Sequence, residues 1–205
     1  MKLVVGDRKF SSWSLRPWLA LKVSGLPFDE VAVRLRRSDT PAQILAHSPS
    51  GKVPCLIDDG TVVWDSLAIC EYLAELAPAL WPAERAARAE ARAVSAEMHA
   101  GFTALRTHMP MEIGAARPGE GRAPDALADI ARIVDIWESC RARFAAQGPF
   151  LFGAFSIADA MYAPVVWRFR SYGVALPAAA QAWMEAMLAL PAMQEWQAGA
   201  LAEQA

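Results

Sequence analysis

The chain has 205 residues, a length that suits one large domain or two small ones and buries a substantial core in either case. A formal charge of -2 and a pI near 5.9 supply no field for nucleic acid or an acidic membrane, so neither is expected as a partner. No apolar run reaches the length of a membrane span, and Met1-Lys2-Leu3 leads into a strand pattern without a signal-peptide layout, so the expected location is cytoplasmic.

Lys2 to Val5 predicts a first strand, and Asp7 to Trp13 a polar loop. A helix is expected from Ser14, with Ser14 as its cap, Pro17 in its first turn and Gly25 at its end. Phe28 to Leu35 alternates, with Val31, Val33 and Leu35 on one face, as a half-buried strand does. Thr40-Pro41 caps a short helix. Val53-Pro54 lies between a glycine-bearing turn and a strand over Cys55, Leu56 and Ile57. A proline in the cis form there turns the Val53 backbone outward, leaving its N–H and C=O to pair with an extended peptide. Asp58-Asp59-Gly60 is a turn signal between two apolar runs.

Asp65-Ser66 then opens a helix that the prolines at 78 and 82 stop. Free N–H groups and the positive dipole end attract a carboxylate, while the Asp65 side chain attracts an ammonium. A free α-amino acid head group carries both charges. Beyond Ala77 to Pro82 the strand signals vanish. Ala83 to His108 reads as one long helix stopping at Pro110, and Gly114 to Pro124 as a mobile loop. Helices follow over about Pro124 to Gln147, Ser156 to Ser171, about Ala178 to Leu190 and from near Pro191. Ser156 and Asp159 have the spacing of a capping box. Cys55, Cys70 and Cys140 are odd in number, far apart and set in apolar segments, which marks them as reduced core residues. No His, Cys, Asp or Glu cluster has metal spacing.

Ser50-Gly51-Lys52-Val53-Pro54, Trp64-Asp65-Ser66-Leu67-Ala68-Ile69, the serine-rich Phe10 to Trp18 and the Ser156-x-x-Asp159 box together resemble the glutathione S-transferases over essentially the whole chain. The resemblance implies an α/β plus all-α architecture: a thioredoxin-like domain (βαβαββα) over residues 1–77, then a helical domain over 83–205. Glutathione is the implied cosubstrate, held by Lys52, Val53, Pro54, Asp65 and Ser66, with its cysteinyl unit on Val53 and its γ-glutamyl head at Asp65 and Ser66. The capping box starts the central buried helix of the second domain in this family, a folding role. The absence of a C-x-x-C pair argues against thioredoxin or glutaredoxin activity on the same fold. A homodimer in the cytoplasm, serving detoxification, is expected by resemblance.

The chemistry needs a thiolate. Lowering a thiol from a pKa near ~8.5 by about two units takes roughly 2.7 kcal/mol of preferential interaction with the anion, which a hydroxyl donor and a helix N-terminus can share. Phe10-Ser11-Ser12-Trp13-Ser14-Leu15-Arg16-Pro17-Trp18 resembles the serine motif of the zeta-class and theta-like transferases, whose first serine donates to sulfur. That makes Ser11 the donor, with Ser12 the alternative if the loop differs by one residue. Trp13 stands where the zeta motif has cysteine, which suits a flat apolar cosubstrate and counts against maleylacetoacetate isomerase activity; Trp13 also reads as an interdomain packing residue. His99, Phe102, Arg106 and Met109 fall at helical spacings and predict one face of a cosubstrate pocket for a small hydrophobic or aromatic electrophile, Arg106 holding a carboxylate or oxyanion. The same four also read as core and solvated positions. Three functions fit: a transferase, a glutathione-dependent isomerase or reductase/peroxidase, and a binding protein on the same fold.

Overall fold

The computed structural model describes Met1 to Glu203. Four strands, β1 (Lys2–Gly6), β2 (Asp29–Val33), β3 (Cys55–Asp58) and β4 (Thr61–Trp64), form one sheet in the order β2-β1-β3-β4. β1 runs parallel to β2 and antiparallel to β3, and β3 is antiparallel to β4. Alternation along β1 sends Val4 to a small cluster with Val33, Ile44 and Cys55, while Leu3 and Val5 face the main core. Val31 and Leu35 pack on that same small cluster, as their spacing predicts, although β2 itself stops at Val33.

The parallel pair is joined through α1 (Ser12–Ser24), which Gly25 ends at φ 73°. α1 starts two residues before the expected Ser14, because Ser11 takes the cap and its Oγ accepts the Ser14 N–H at 3.4 Å. A serine at both ends of a three-residue step satisfies the cap preference twice, and the earlier one supplies the acceptor. Pro17 therefore lies inside the helix rather than at its entry. α2 (Thr40–Leu45) and α3 (Ser66–Leu76) complete a βαβαββα order, and a 3-10 turn over Pro78–Leu80 leads into the helical part.

There, α4 (Arg85–Ala100) and α5 (Thr103–His108) replace the single helix expected over Ala83 to His108. Gly101 is extended and Phe102 left-handed at φ 58°, and the Arg106 guanidinium accepts the role of cap by donating to the carbonyls of Met98, His99 and Gly101. A cation over the last carbonyls of α4 offsets the loss of the interrupted helical bonds. The stretch around Gly114 to Pro124 is irregular but tied: Arg117 N–H donates to the Ser171 carbonyl at 2.7 Å and Gly119 N–H to that of Tyr172 at 3.0 Å. The expectation of a mobile loop missed these partners, which lie over fifty residues away.

α6 (Pro124–Phe144), α7 (Ile157–Tyr172), α8 (Ala178–Ala189) and α9 (Pro191–Ala202) follow. α7 is buried at every position but Arg170, and packs on both α1 and α4. The main core consequently runs without a break from Leu3 to Ala200, across both parts of the fold. The capping box forms as expected, with Asp159 accepting the Ser156 N–H at 2.8 Å. Among the described residues no helix is long and apolar enough to cross a membrane.

Candidate active site

α3 begins at a bend that only a specific side chain supports. Asp65 is held at φ 75° and ψ 134°, a conformation rare for a non-glycine residue, and its Oδ1 accepts the Leu67 and Ala68 N–H groups at 2.9 and 3.3 Å. The capping bonds fix the carboxylate at the helix mouth and leave Oδ2 facing His99 Nε2 at 3.2 Å. Beside it the Ser66 hydroxyl is buried with no hydrogen-bond partner. Across a cleft of about 460 Å³, the Val53-Pro54 bond is cis and Val53 stands on the wall, just before the ladder that begins at Cys55. Ser50, Lys52 and Pro54, with Trp13, Trp64 and His99, complete the lining of the cleft, Trp64 standing opposite Cys55 in the β3–β4 ladder.

Trp13 sits in a cationic setting. Arg16 packs on its ring at 4.2 Å from the centroid and Arg106 at 5.0 Å, while His99 meets it edge-on at 5.4 Å. Arg16 is almost wholly buried, donates from Nε to the Met161 carbonyl at 3.1 Å and has an unpartnered Nη1. Burial, followed by repulsion from Arg106 and Arg168, pulls Arg16 down to about 9, which still leaves it charged at neutral pH. His99 Nδ1 and Arg106 Nε are buried and unpartnered as well. Buried polar atoms in folded proteins are nearly always paired, so the unpaired Ser66 hydroxyl and His99 Nδ1, both on residues of the cleft lining, fit a polar ligand. The protein's three thiols are buried, and burial pushes Cys55 and Cys70 up, and Cys140 up to about 12, which disfavours their thiolates.

Ser11 and Ser12 flank the entrance of α1, next to Trp13 in the chain, and both are buried. The Ser11 hydroxyl donates to Ser14 Oγ at 2.7 Å. The loop that carries them is clamped by the end of the chain: Glu203 accepts the Arg8 and Lys9 N–H groups at 2.7 and 3.1 Å, and Trp196 Nε1 donates to the Arg8 carbonyl at 2.9 Å.

The break between α4 and α5 dissolves the expected pocket face. His99 stays on the cleft and Arg106 reaches only its Trp13 wall, while Phe102 and Met109 are core residues. Arg106 caps α4 through Nη2, and its Nε is left without a partner. Sequence reasoning left Trp64, Ser50 and Arg16 without a role; Trp64, 48% exposed directly before Asp65, was the one with a local signal.

A thioredoxin-like sheet with a cis-proline wall, an acid-and-serine helix mouth and a helical partner defines a class of thiol-handling proteins. Family models for the glutathione S-transferase N-terminal domain and the glutathione S-transferase C-terminal domain match residues 10–76 and 83–196, and the chain belongs to the glutathione S-transferase family. It is similar to a probable maleylacetoacetate isomerase of Caenorhabditis elegans, 36% identical over 100 residues that cover 48% of this chain and 46% of that protein. The chain thus spans about a third to a half of the length of the curated relatives it first matches. Among solved structures it resembles a glutathione transferase homolog from Burkholderia GL BGR1 with bound glutathione (TM-score 0.75, 25% identity, 98% of each chain). It also resembles a maleyl pyruvate isomerase described as a bacterial zeta-class glutathione S-transferase (TM-score 0.74, 25% identity, 100% of each chain).

His99 gives the site a pH signature. Burial first, then Arg16 and Arg106, hold it below the usual imidazole value against the opposing pull of Asp65. The unfolded chain therefore takes up this proton at higher pH than the folded one. The stability carried by neutral His99 is full above the unfolded value of about 6.5 and is lost as pH falls through the lower folded value. The melting temperature should drop between pH 7.5 and 5.5, and the drop should be shallower in His99→Gln. Equal slopes in the two proteins would refute this.

Proposed function

We propose that the chain is a glutathione transferase. Glutathione lies along the cleft, with its cysteinyl backbone paired to Val53, its γ-glutamyl carboxylate on the Ser66 hydroxyl and the α3 N-terminus, and its ammonium on Asp65. Lys52 and Pro54 shape the same wall. The observation that carries the reading is the buried, unpartnered Ser66 hydroxyl at a helix mouth that also presents a fixed carboxylate. Ser11, aided by the α1 N-terminus, stabilises the sulfur anion; the Ser12 hydroxyl is the alternative donor. The thiolate then attacks a small hydrophobic or aromatic electrophile over Trp13, forming an S–C bond as a halide leaves, or as the π pair of an activated double bond moves to the neighbouring atom and takes a proton from solvent. The thiol proton goes to solvent.

A second reading is favoured by Arg16 and Arg106 around Trp13 and by the isomerases among the similar proteins. In it the thiolate adds reversibly to an anionic unsaturated acid and leaves after rotation about the bond. Either activity fits a detoxifying or catabolic enzyme of the cytoplasm, with domains over residues 1–77 and 83–205. We also propose a homodimer, which exposed Val62 and Trp64 on edge strand β4 support; sedimentation at micromolar concentration checks it, and a monomer would refute it.

Calorimetric titration with glutathione tests the cradle. Asp65→Asn keeps an oxygen for the α3 cap and loses the charge, so the melting temperature should hold while binding weakens by about 1 to 3 kcal/mol. Unchanged affinity would sink the assignment. Turnover of glutathione with an aryl halide, a hydroperoxide, a cis-dienoic keto acid and a mixed disulfide separates the reactions. Binding without turnover of any of them would favour a binding protein.

A further inference from the structure

Ser14 touches the proposed sulfur donor; neither serine lines the cleft, where Trp13 is the α1 residue on the wall. It is wholly buried, and the three-residue step along α1 brings its Oγ to 2.7 Å from that of Ser11. The Gly6 main-chain N–H donates to Ser14 Oγ at 3.1 Å, which roots this oxygen in the end of β1. A serine hydroxyl has one proton and two acceptor positions. With Ser11 donating to it, Ser14 has both acceptor positions filled, by Gly6 and by Ser11, and among the described residues its own proton has no acceptor. A buried donor left without a partner is disfavoured. The imbalance disappears if Ser11 turns its proton elsewhere, because the Ser11 oxygen then accepts and the unused Ser14 proton is already within reach.

We propose that Ser14 is a positioning residue for the thiolate site, acting through Ser11. When a thiolate sulfur occupies the cleft, the Ser11 hydroxyl rotates toward it and Ser14 changes from acceptor to donor. The chain of hydrogen bonds becomes Gly6 N–H to Ser14 Oγ, Ser14 O–H to Ser11 Oγ, and Ser11 O–H to sulfur. No covalent bond forms or breaks; two hydroxyls turn about their C–O bonds. A hydroxyl whose oxygen accepts a hydrogen bond is polarised and donates more strongly, so Ser14 deepens the stabilisation that Ser11 gives. Ser12 has no such support: no side-chain hydrogen bond reaches its oxygen among the described residues, whereas Ser11 Oγ also accepts the Ser14 N–H. The inference rests on Ser11 being the sulfur donor.

The test is the pKa of the thiol of bound glutathione, read from thiolate absorbance against pH in Ser11→Ala, Ser14→Ala and the double variant, with glutathione affinity at pH 5.5 and the melting temperature measured beside it. Ser14→Ala should raise the thiol pKa by about 0.3 to 0.7 unit, with affinity at pH 5.5 unchanged. The double variant should match Ser11→Ala alone, since Ser14 acts only through Ser11. Ser14→Cys, of similar size and with a weaker donor, should fall between wild type and Ser14→Ala, and it carries the test if the alanine variant does not fold. A fall in pKa in Ser14→Ala would mean that Ser14 competes with sulfur for the Ser11 proton. No shift, or a further shift in the double variant, would leave Ser14 a packing residue; each of these overturns the relay while leaving Ser11 as donor. If Ser11→Ala itself leaves the pKa in place, the donor assignment fails and the relay with it.

Discussion

Ser11→Ala is expected to raise the pKa of bound glutathione by about one to two units and to cut turnover near pH 6.5 by about ten- to a hundred-fold, because the thiolate fraction falls in proportion. Affinity near neutral pH should remain, since in the proposed binding mode Val53, Asp65 and Ser66 hold parts of the tripeptide remote from sulfur. The rate deficit should shrink as pH rises and solvent performs the ionisation. The same substitution removes the α1 cap, so the melting temperature should also fall, by the equivalent of about 1 kcal/mol. Ser12→Ala lacks that second effect and is the matched control. A pKa shift in Ser12→Ala alone would transfer the role to Ser12. No shift in either variant would leave the work to the α1 N-terminus and the buried charge of Arg16.

Local signals were legible where the physics is local. Gly25 in a left-handed cap, Asp59-Gly60 in the tight turn, Pro124 and Pro191 at helix entries and the Ser156-Asp159 box each act within a few residues, and each stands where the sequence puts it. The cleft wall was legible for a related reason: Val53-Pro54 and Asp65-Ser66 are short motifs whose backbone geometry is set by the residues themselves. What failed depends on partners far along the chain. Gly101 alone does not break a helix in an alanine-rich segment; the break stands because Arg106 folds back over the freed carbonyls, and that arginine had been read as a ligand for substrate. The His99, Phe102, Arg106 and Met109 face assumed an unbroken period of 3.6 and vanished with it. Arg16 and Arg168 look solvated by composition, yet both are buried, with backbone carbonyls of α7 and of the α5 end as their acceptors. The α1 cap was expected at Ser14 and stands at Ser11, because both serines satisfy the same capping rule and the earlier one has the acceptor geometry.

Asp159→Ala is expected to be the most destabilising single change in the helical domain, and its effect should be on folding rather than on chemistry. The carboxylate is fully buried and accepts four hydrogen bonds, from the Leu151 N–H, the Ser156 N–H, the Ser156 hydroxyl and Trp183 Nε1, at 2.8 to 3.0 Å. Burial pushes its carboxyl up, and these four donors pull it back. Alanine removes the acceptor and strands three buried N–H donors, so the loss should reach about 3 to 5 kcal/mol, a large share of the stability of a typical domain. Because α7 packs on α1, the damage should reach the entrance of α1, and surviving folded protein should show weakened glutathione binding as well. Asp159→Asn separates the causes: the amide keeps the shape and one acceptor oxygen but turns a hydrogen-bearing nitrogen toward donors. If burial of charge were the dominant cost, the asparagine variant would be as stable as wild type. If acceptor count dominates, as the four short bonds imply, it should lose most of what alanine loses. Chemical denaturation of the three proteins at pH 7 decides between them.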